Sequence, residues 1–158
     1  MTHQPKISLD DLDRRILRVL QADNRLSFAE LAERAGSSPA SCLRRVRRLR
    51  AAGAIQADVS LLDPRLAGPS IELIVTVELE RERHDLVEEF KRNMLSAEEV
   101  TQCYMVTGEA DFVLVVTVRD IASFDTFIRT KLYANPNVRK FQSMITISRV
   151  KFETRVPI

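Results

Sequence analysis

At 158 residues, 45% hydrophobic and 29% charged, the chain has the make-up of an ordinary globular protein of one medium or two small domains. No apolar run approaches the roughly 18 residues of a membrane span, and the opening MTHQPKISLDD lacks a secretion signal's apolar core, so a cytoplasmic protein with no membrane partner is expected. The net charge of +2 hides an asymmetry that points to two tasks: residues 1–60 carry 11 Lys+Arg against 7 Asp+Glu, the remainder 13 against 15.

Ser8 precedes an apolar pattern at Leu9, Leu12, Ile16, Leu17, Val19 and Leu20, with Asp10, Asp11 and Asp13 in the first turn. Carboxylates there favour the positive end of a helix dipole, so a helix opens at Ser8 and is broken by Asp23-Asn24-Arg25. Ser27-Phe28-Ala29-Glu30 is a capping box that opens a second short helix through Leu31, Ala32 and Ala35, and Gly36 ends it. Ser38 can cap a third helix, with Pro39 at its first position. Ser38 to Arg50, SPASCLRRVRRLR, carries five arginines and no acidic residue. Ser41, Arg44, Arg45 and Arg48 fall on one face of this helix, and Cys42, Leu43, Val46 and Leu49 on the opposite one.

Two short helices joined by a glycine-containing turn are the sequence form of a helix-turn-helix. The turn lays the third helix across the second, so that its amino-terminal end can enter a major groove. Guanidinium groups neutralise phosphates and pair with guanine edges, so double-stranded DNA is the expected partner. Ser38, Ala40, Ser41, Arg44, Arg45 and Arg48 are assigned to the DNA side. Ser41, Arg44 and Arg45 are taken as base readers, Ser38 and Arg48 as phosphate contacts. Arg47 and Arg50 flank the apolar stripe and are equally suited to lying over the core. Gly53 stops the helix, and residues 54–59 alternate weakly, like a small strand or wing.

Asp63-Pro64 and Gly68-Pro69 interrupt regular structure, which sets domains at 1–60 and 71–158 with a linker at 61–70. Ile71, Leu73, Val75, Val77 and Leu79 alternate as a strand, and Leu86, Val87, Phe90 and Met94 recur at helical spacing. Val100 to Thr107 and Phe112 to Val118 are strands around the turn Gly108-Glu109-Ala110-Asp111. Ile121, Phe124, Phe127, Ile128 and Leu132 form a second helix, and a final strand runs from Val138 to Arg149. The order β-α-β-β-α-β is the ferredoxin-like pattern, with both helices on one face of an antiparallel sheet. The fold class is α+β, a winged helix-turn-helix domain followed by this sheet domain. The sheet's other face needs a cover, for which self-association is the economical solution.

Little material for catalysis is present. The two histidines are His3, in a probable tail, and His84, at a helix start, so no catalytic residues are assigned and no enzyme is expected. No clustered His/Cys spacing suggests a metal, no glycine-rich phosphate loop suggests a nucleotide, and no cofactor is expected. Cys42 and Cys103 are expected as separate reduced thiols. In Thr107-Gly108-Glu109-Ala110-Asp111-Phe112 a glycine turn could direct backbone amides outward as an anion nest while a nearby carboxylate holds an ammonium group. That combination suits a free amino acid, although Gly108 and Asp111 also suit a plain turn.

Together these features resemble the leucine-responsive regulatory protein/asparagine regulator (Lrp/AsnC) family of prokaryotic transcription factors. The resemblance runs from LDDLDRRIL through SPASCLRRVRRLRAAGAI to the strand ending SRVK, with VTGEADF matching the family's glycine turn. It implies DNA binding through the helix-turn-helix, and a RAM-type carboxy-terminal domain that forms homodimers and higher assemblies, tetramers or octamers. It also implies a small effector, usually an amino acid, bound near the turn at a subunit interface. By that resemblance Thr107, Gly108, Glu109, Ala110, Asp111 and Phe112 become effector-site candidates, with Met105, Gln142 and Ser143 as neighbours. The family often has tyrosine where this chain has Phe112, and KFQSMITIS departs from a common threonine-rich final strand. The expectation is a sequence-specific regulator of amino-acid metabolism. Its rivals are an amino-acid-sensing metabolic module or small enzyme whose basic helix contacts protein, and a non-specific architectural DNA binder.

Overall fold

The computed structural model describes residues 7–63, 66 and 68–158. His3 and Pro64 lie outside the described residues. The chain divides into two compact units, Met1–Leu61 with Lys151–Ile158, and Leu62–Val150. Residues 151–158, counted with the carboxy-terminal domain in the sequence division, pack in the structure against the helical unit. Arg18 Nε donates to the Ile158 carbonyl (2.7 Å), Gln21 Nε2 donates to the Val156 carbonyl (3.1 Å), and the Val156 amide donates to Gln21 Oε1 (2.5 Å). Ile158 also packs on the helical core, so apolar contact and side-chain-to-backbone hydrogen bonds both hold the segment to the first helix.

The helical unit contains α1 (Asp11–Ala22), α2 (Phe28–Ala35) and α3 (Pro39–Ala51). α1 is capped by Asp10 rather than Ser8, because Asp10 and Asp13 form a reciprocal capping box: each side chain accepts the other's amide, at 2.8 and 3.1 Å. Ser27 and Glu30 cap α2 in the same way, and Gly36, at φ +66°, ends it in the left-handed conformation that glycine adopts without strain. Ile16, Leu17, Leu31, Ala32, Ala35, Cys42, Val46 and Leu49 form the core. The expected wing does not form. The amides of Ala54 and Ile55 bond back to the Leu49 carbonyl (2.9 and 3.3 Å), and both side chains pack on the core. Core contact thus captures Ala54 and Ile55, and residues 56–59 remain exposed with no strand partner among the described residues.

The second unit is β1 (Ile71–Leu79), α4 (His84–Leu95), β2 (Val100–Met105), β3 (Phe112–Val118), α5 (Ile121–Phe127) continuing as a π-helical turn (Ile128–Tyr133), and β4 (Val138–Ile145). The antiparallel sheet has the order β2-β3-β1-β4. Leu73, Val75 and Val77 lie opposite Val116, Leu114 and Phe112, and this face packs on Phe90, Met94, Phe127 and Leu132. The π turn has a packing reason. In an α-helix Leu132 would sit about 140° around from Phe127, whereas the wider turn lets both be fully buried. β4 ends at Ile145, short of Arg149, after which Ile147 and Val150 are exposed. Asn137 is buried and brackets Arg81, accepting its amide (3.1 Å) and donating to its carbonyl (3.0 Å).

The opposite face carries Ile74, Val113, Val115, Tyr104 and Met144 in adjacent register positions, all partly or well exposed. Among the described residues no helix is long and apolar enough to cross a membrane.

Candidate nucleic-acid interface and ligand loop

α3 owes its position to three anchors. Cys42, Val46 and Leu49 bury one stripe. Ser38 Oγ accepts the Ser41 amide (3.3 Å), which satisfies one of the free donors at the helix start. Arg15 Nε on α1 donates to the Ala35 carbonyl (2.9 Å), which fixes the end of α2 just before the turn. With the buried stripe inward, Ser38, Ala40, Arg44, Arg47 and Arg48 are exposed and Ser41 is half-buried.

The arginines divide into two groups. Arg45 Nη1 lies 2.8 Å from Asp13 and 2.6 Å from Asp10, its side chain only 22% exposed. Arg48 Nη2 also bonds Asp13, although that side chain remains 48% exposed. The base-reading assignment of Arg45 is therefore corrected. Position 45 is three residues after buried Cys42 and four before buried Leu49, so its guanidinium turns to α1 and is used there. Arg48 keeps an outward side, in keeping with a phosphate contact. Arg50 pairs with Asp58 (2.8 Å). Among the described residues, Arg44 and Arg47 make no ion pair, so the outward cationic surface is theirs. Arg47, suited by sequence either to DNA or to the rim of the core, is exposed on the side of the helix away from the buried stripe.

The electrostatics of the α1 cap follow from these contacts. The amide of Asp13, then the Arg45 guanidinium, hold the Asp10 carboxyl down at about 2 from an ordinary 3.8. Asp10 and then Asp13 push the Arg45 guanidinium up. Arg45 Nε is buried without a partner among the described residues.

In the second unit the loop between β2 and β3 closes through the Val106 amide and Asp111 carbonyl (2.9 Å). It is tied to β1 twice: the Asp111 amide donates to the Val77 carbonyl (2.9 Å), and Asp111 Oδ2 accepts the Leu79 amide (2.6 Å). One carboxylate oxygen of Asp111 is thus structural. Gly108 has φ +128°, which favours glycine, and nothing lies within 4 Å of where a Cβ would stand. Among the described residues the amides of Thr107, Gly108, Glu109 and Ala110 have no partner. Thr107, Gly108 and Glu109 are exposed, Ala110 is half-buried, and Met105 is 60% exposed.

Two expectations for this site need correction. Phe112 is buried, its ring 4.7 Å from that of Phe90, so its side chain belongs to the core. Gln142 and Ser143 are not direct neighbours of the loop within one chain: Asp111 continues β3, and β4 lies two strands from β3, beyond β1, about 10 Å at ordinary strand spacing. Their side chains also point to opposite faces, since Gln142 pairs with open-face Thr76 and Ser143 with buried Val75.

Cys42 is buried and Cys103 exposed, both free. Partial desolvation by the surrounding chain pushes the Cys103 thiol up from its ordinary value.

Residues 9–50 match the model of the AsnC-type helix-turn-helix domain, and residues 72–156 match that of the Lrp/AsnC ligand binding domain. The chain is 43% identical to an uncharacterised HTH-type transcriptional regulator of Sinorhizobium fredii, over 96% of this chain and 90% of the relative. It is 35% identical to the leucine-responsive regulatory protein of Escherichia coli, over 98% and 94%. A crystal structure of a Neisseria meningitidis transcriptional regulator in complex with L-methionine superposes with a TM-score of 0.86 at 33% identity, covering 95% of this chain and 97% of that one. Domain order, fold and sequence agree over nearly the full length, and the chain belongs to the Lrp/AsnC family of transcriptional regulators.

Proposed function

We propose that this regulator binds specific DNA sequences as a homo-oligomer and adjusts amino-acid metabolism in response to a free amino acid. It acts by binding, not by catalysis, in the cytoplasm. The observation that carries the DNA side is the outward surface of α3, where Arg44 and Arg47 stand unpaired among the described residues beside Ser38, Ala40 and Ser41. In this reading Ser41 and Arg44 meet base edges, while Arg47, Arg48 and Ser38 meet phosphates. Two copies related by a two-fold axis would present two such helices to half-sites separated by whole helical turns.

The effector reading rests on the loop from 106 to 111. Its unpartnered amides suit a carboxylate, and Glu109 with the second oxygen of Asp111 suits an ammonium group. Gln142 and Ser143 would join this site only from a second copy. A sheet face bearing Ile74, Val113, Val115 and Met144 favours such a copy, because pairing two of these faces removes apolar surface from water. A relative named for leucine and a neighbour solved with methionine point to amino acids as the ligand class. The effector would shift the balance between assemblies only by as much as its affinity differs between them.

Fluorescence anisotropy at fixed salt, comparing the region upstream of the protein's own gene with random duplex of equal length, tests the DNA side. Preference for the upstream region is expected. Equal affinity would favour a non-specific architectural role, and no binding would favour a metabolic module.

A further inference from the structure

α1 and α3 meet through an ion network that engages Arg45 and one edge of Arg48. Asp13 is fully buried; its Oδ1 takes Arg45 Nη1, and its Oδ2 takes Arg48 Nη2 and the Asp10 amide. Asp10 adds a second carboxylate to Arg45. Two carboxylates thus face two guanidiniums, and the cluster has no net charge. On the same helix, Arg44 and Arg47 have no counter-charge among the described residues.

The difference matters for DNA. Sequence-independent affinity comes from cations that replace counterions at phosphates, with a slope of about 0.9 in log affinity against log salt for each phosphate neutralised. An arginine already neutralised and held inward adds little to that sum. A helix with five free arginines would bind any duplex tightly, and competing genomic sites would then dilute its specific binding.

We infer that Asp13, assisted by Asp10, is a specificity-determining positioning residue. It withholds Arg45 and one edge of Arg48 from indiscriminate phosphate contact, and leaves recognition to Ser41, Arg44 and Arg47. The inference rests on the DNA-binding reading above and deepens it. A purely mechanical staple between α1 and α3 makes the opposite prediction, since its loss would loosen α3 and weaken binding to every DNA.

Full-length wild type, Asp13→Asn, Asp10→Asn and Arg45→Gln are titrated by anisotropy against the upstream fragment and a random duplex, from about 50 to 200 mM salt. Melting curves are recorded alongside. Asp13→Asn is expected to bind random duplex about 5- to 10-fold tighter near 0.1 M salt, with a slope steeper by about one and a smaller upstream-to-random ratio. Asp10→Asn keeps a good helix cap, so it tests the same direction even if Asp13→Asn fails to fold; its rise is smaller. Arg45→Gln should melt earlier yet keep the wild-type slope on random duplex. A folded Asp13→Asn or Asp10→Asn with unchanged or weaker random-duplex binding would overturn the inference. So would an Arg45→Gln slope shallower by about 0.9. Wild type showing no preference for its upstream fragment would instead remove the DNA-binding reading itself, whichever way the variants behave.

Discussion

The helical unit and the sheet unit solve opposite problems. The helical unit has a small core of eight buried residues and places charge with care: carboxylates on α1 absorb two arginines of α3 and leave two others open. The sheet unit has fifteen buried residues and an apolar open face, and its loop carries amides without partners among the described residues. The surface proposed for DNA lies within one chain. The proposed effector site lacks Gln142 and Ser143 until a second copy supplies them. A surface set by electrostatics can work on a single small scaffold, whereas a site at a sheet edge gains its remaining walls by assembly.

The sharpest way to break that contrast is to weaken each core equally. Leu49→Ala and Leu114→Ala each remove a fully buried leucine, with an expected loss of about 2–5 kcal/mol. In urea or thermal unfolding followed by circular dichroism, Leu49→Ala should melt the helical unit at 25 °C while the sheet remains. Leu114→Ala should leave both units folded with a lowered sheet transition. A single shared transition for both variants would show that the two cores do not behave independently.

The division among the arginines is tested next. Arg44→Ala should cost about 1–3 kcal/mol in binding to the specific site and relax preference at one base position. Arg47→Ala should weaken all sequences alike and reduce the salt slope by about one. Binding assays on single-base variants of the site would separate the two, and equal behaviour would erase the distinction between base and phosphate roles on α3.

Smaller still is the backbone effect in the ligand loop. Gly108→Ala forces a Cβ onto φ +128° with open space around it, so the cost is conformational, about 1 kcal/mol, and confined to the sheet unit's melting transition. The added methyl also projects into the open space in front of the loop, where a bound carboxylate would sit, so thermal stabilisation by an amino-acid effector should shrink. Undiminished stabilisation would move the effector away from this loop.

Much of this molecule was legible in its residues because local signals and burial agreed. Ser27-Phe28-Ala29-Glu30 capped α2 as its spacing demands, Ser38-Pro39 opened α3, and the alternation of Ile71–Leu79 set a strand with one buried face. The failures came where tertiary contact outranked the local pattern. Residues 54–59 alternate weakly, but Ala54 and Ile55 bond back to Leu49 and the rest stay exposed, with no strand pairing among the described residues. Asp10, not Ser8, caps α1, because its partner Asp13 is also held by two arginines more than 30 residues away. Arg45 looked like a DNA contact on a two-sided wheel, yet its spacing from Cys42 and Leu49 already placed it at the rim of the buried stripe. Phe112 illustrates the same point in a strand: a motif position suggested a ligand contact, while strict alternation with Leu114 and Val116 sends its ring into the core. Gln142 was tied to the loop by resemblance alone, and sheet order sets β1 between its strand and that of Asp111.

The smallest effect concerns acid. Asp10 has its carboxyl held at about 2 against an ordinary 3.8, first by the Asp13 amide and then by Arg45; Asp23 is held at about 2 by Arg25. A carboxyl whose folded value lies below its unfolded one favours folding fully above the unfolded value, and this support fades as pH drops through 4 and is gone below 2. Both groups belong to the helical unit. In the sheet unit, Glu78, Asp85, Glu88 and Asp120 are also lowered, chiefly by hydrogen bonds from Arg139, Arg83, Lys91 and the Ser123 amide respectively. Acid between pH 4 and 2 should therefore lower both transitions, with the helical one moving further relative to its smaller core. Asp10→Asn should flatten the helical unit's pH profile in that window while keeping a cap at pH 7. These carboxylates are exposed or half-buried, within reach of solvent ions, so the effect should shrink in 1 M salt, about 3 Å of screening length. A helical transition with the same pH dependence in wild type and Asp10→Asn would show that the cap's charge is not felt in the folding of that unit.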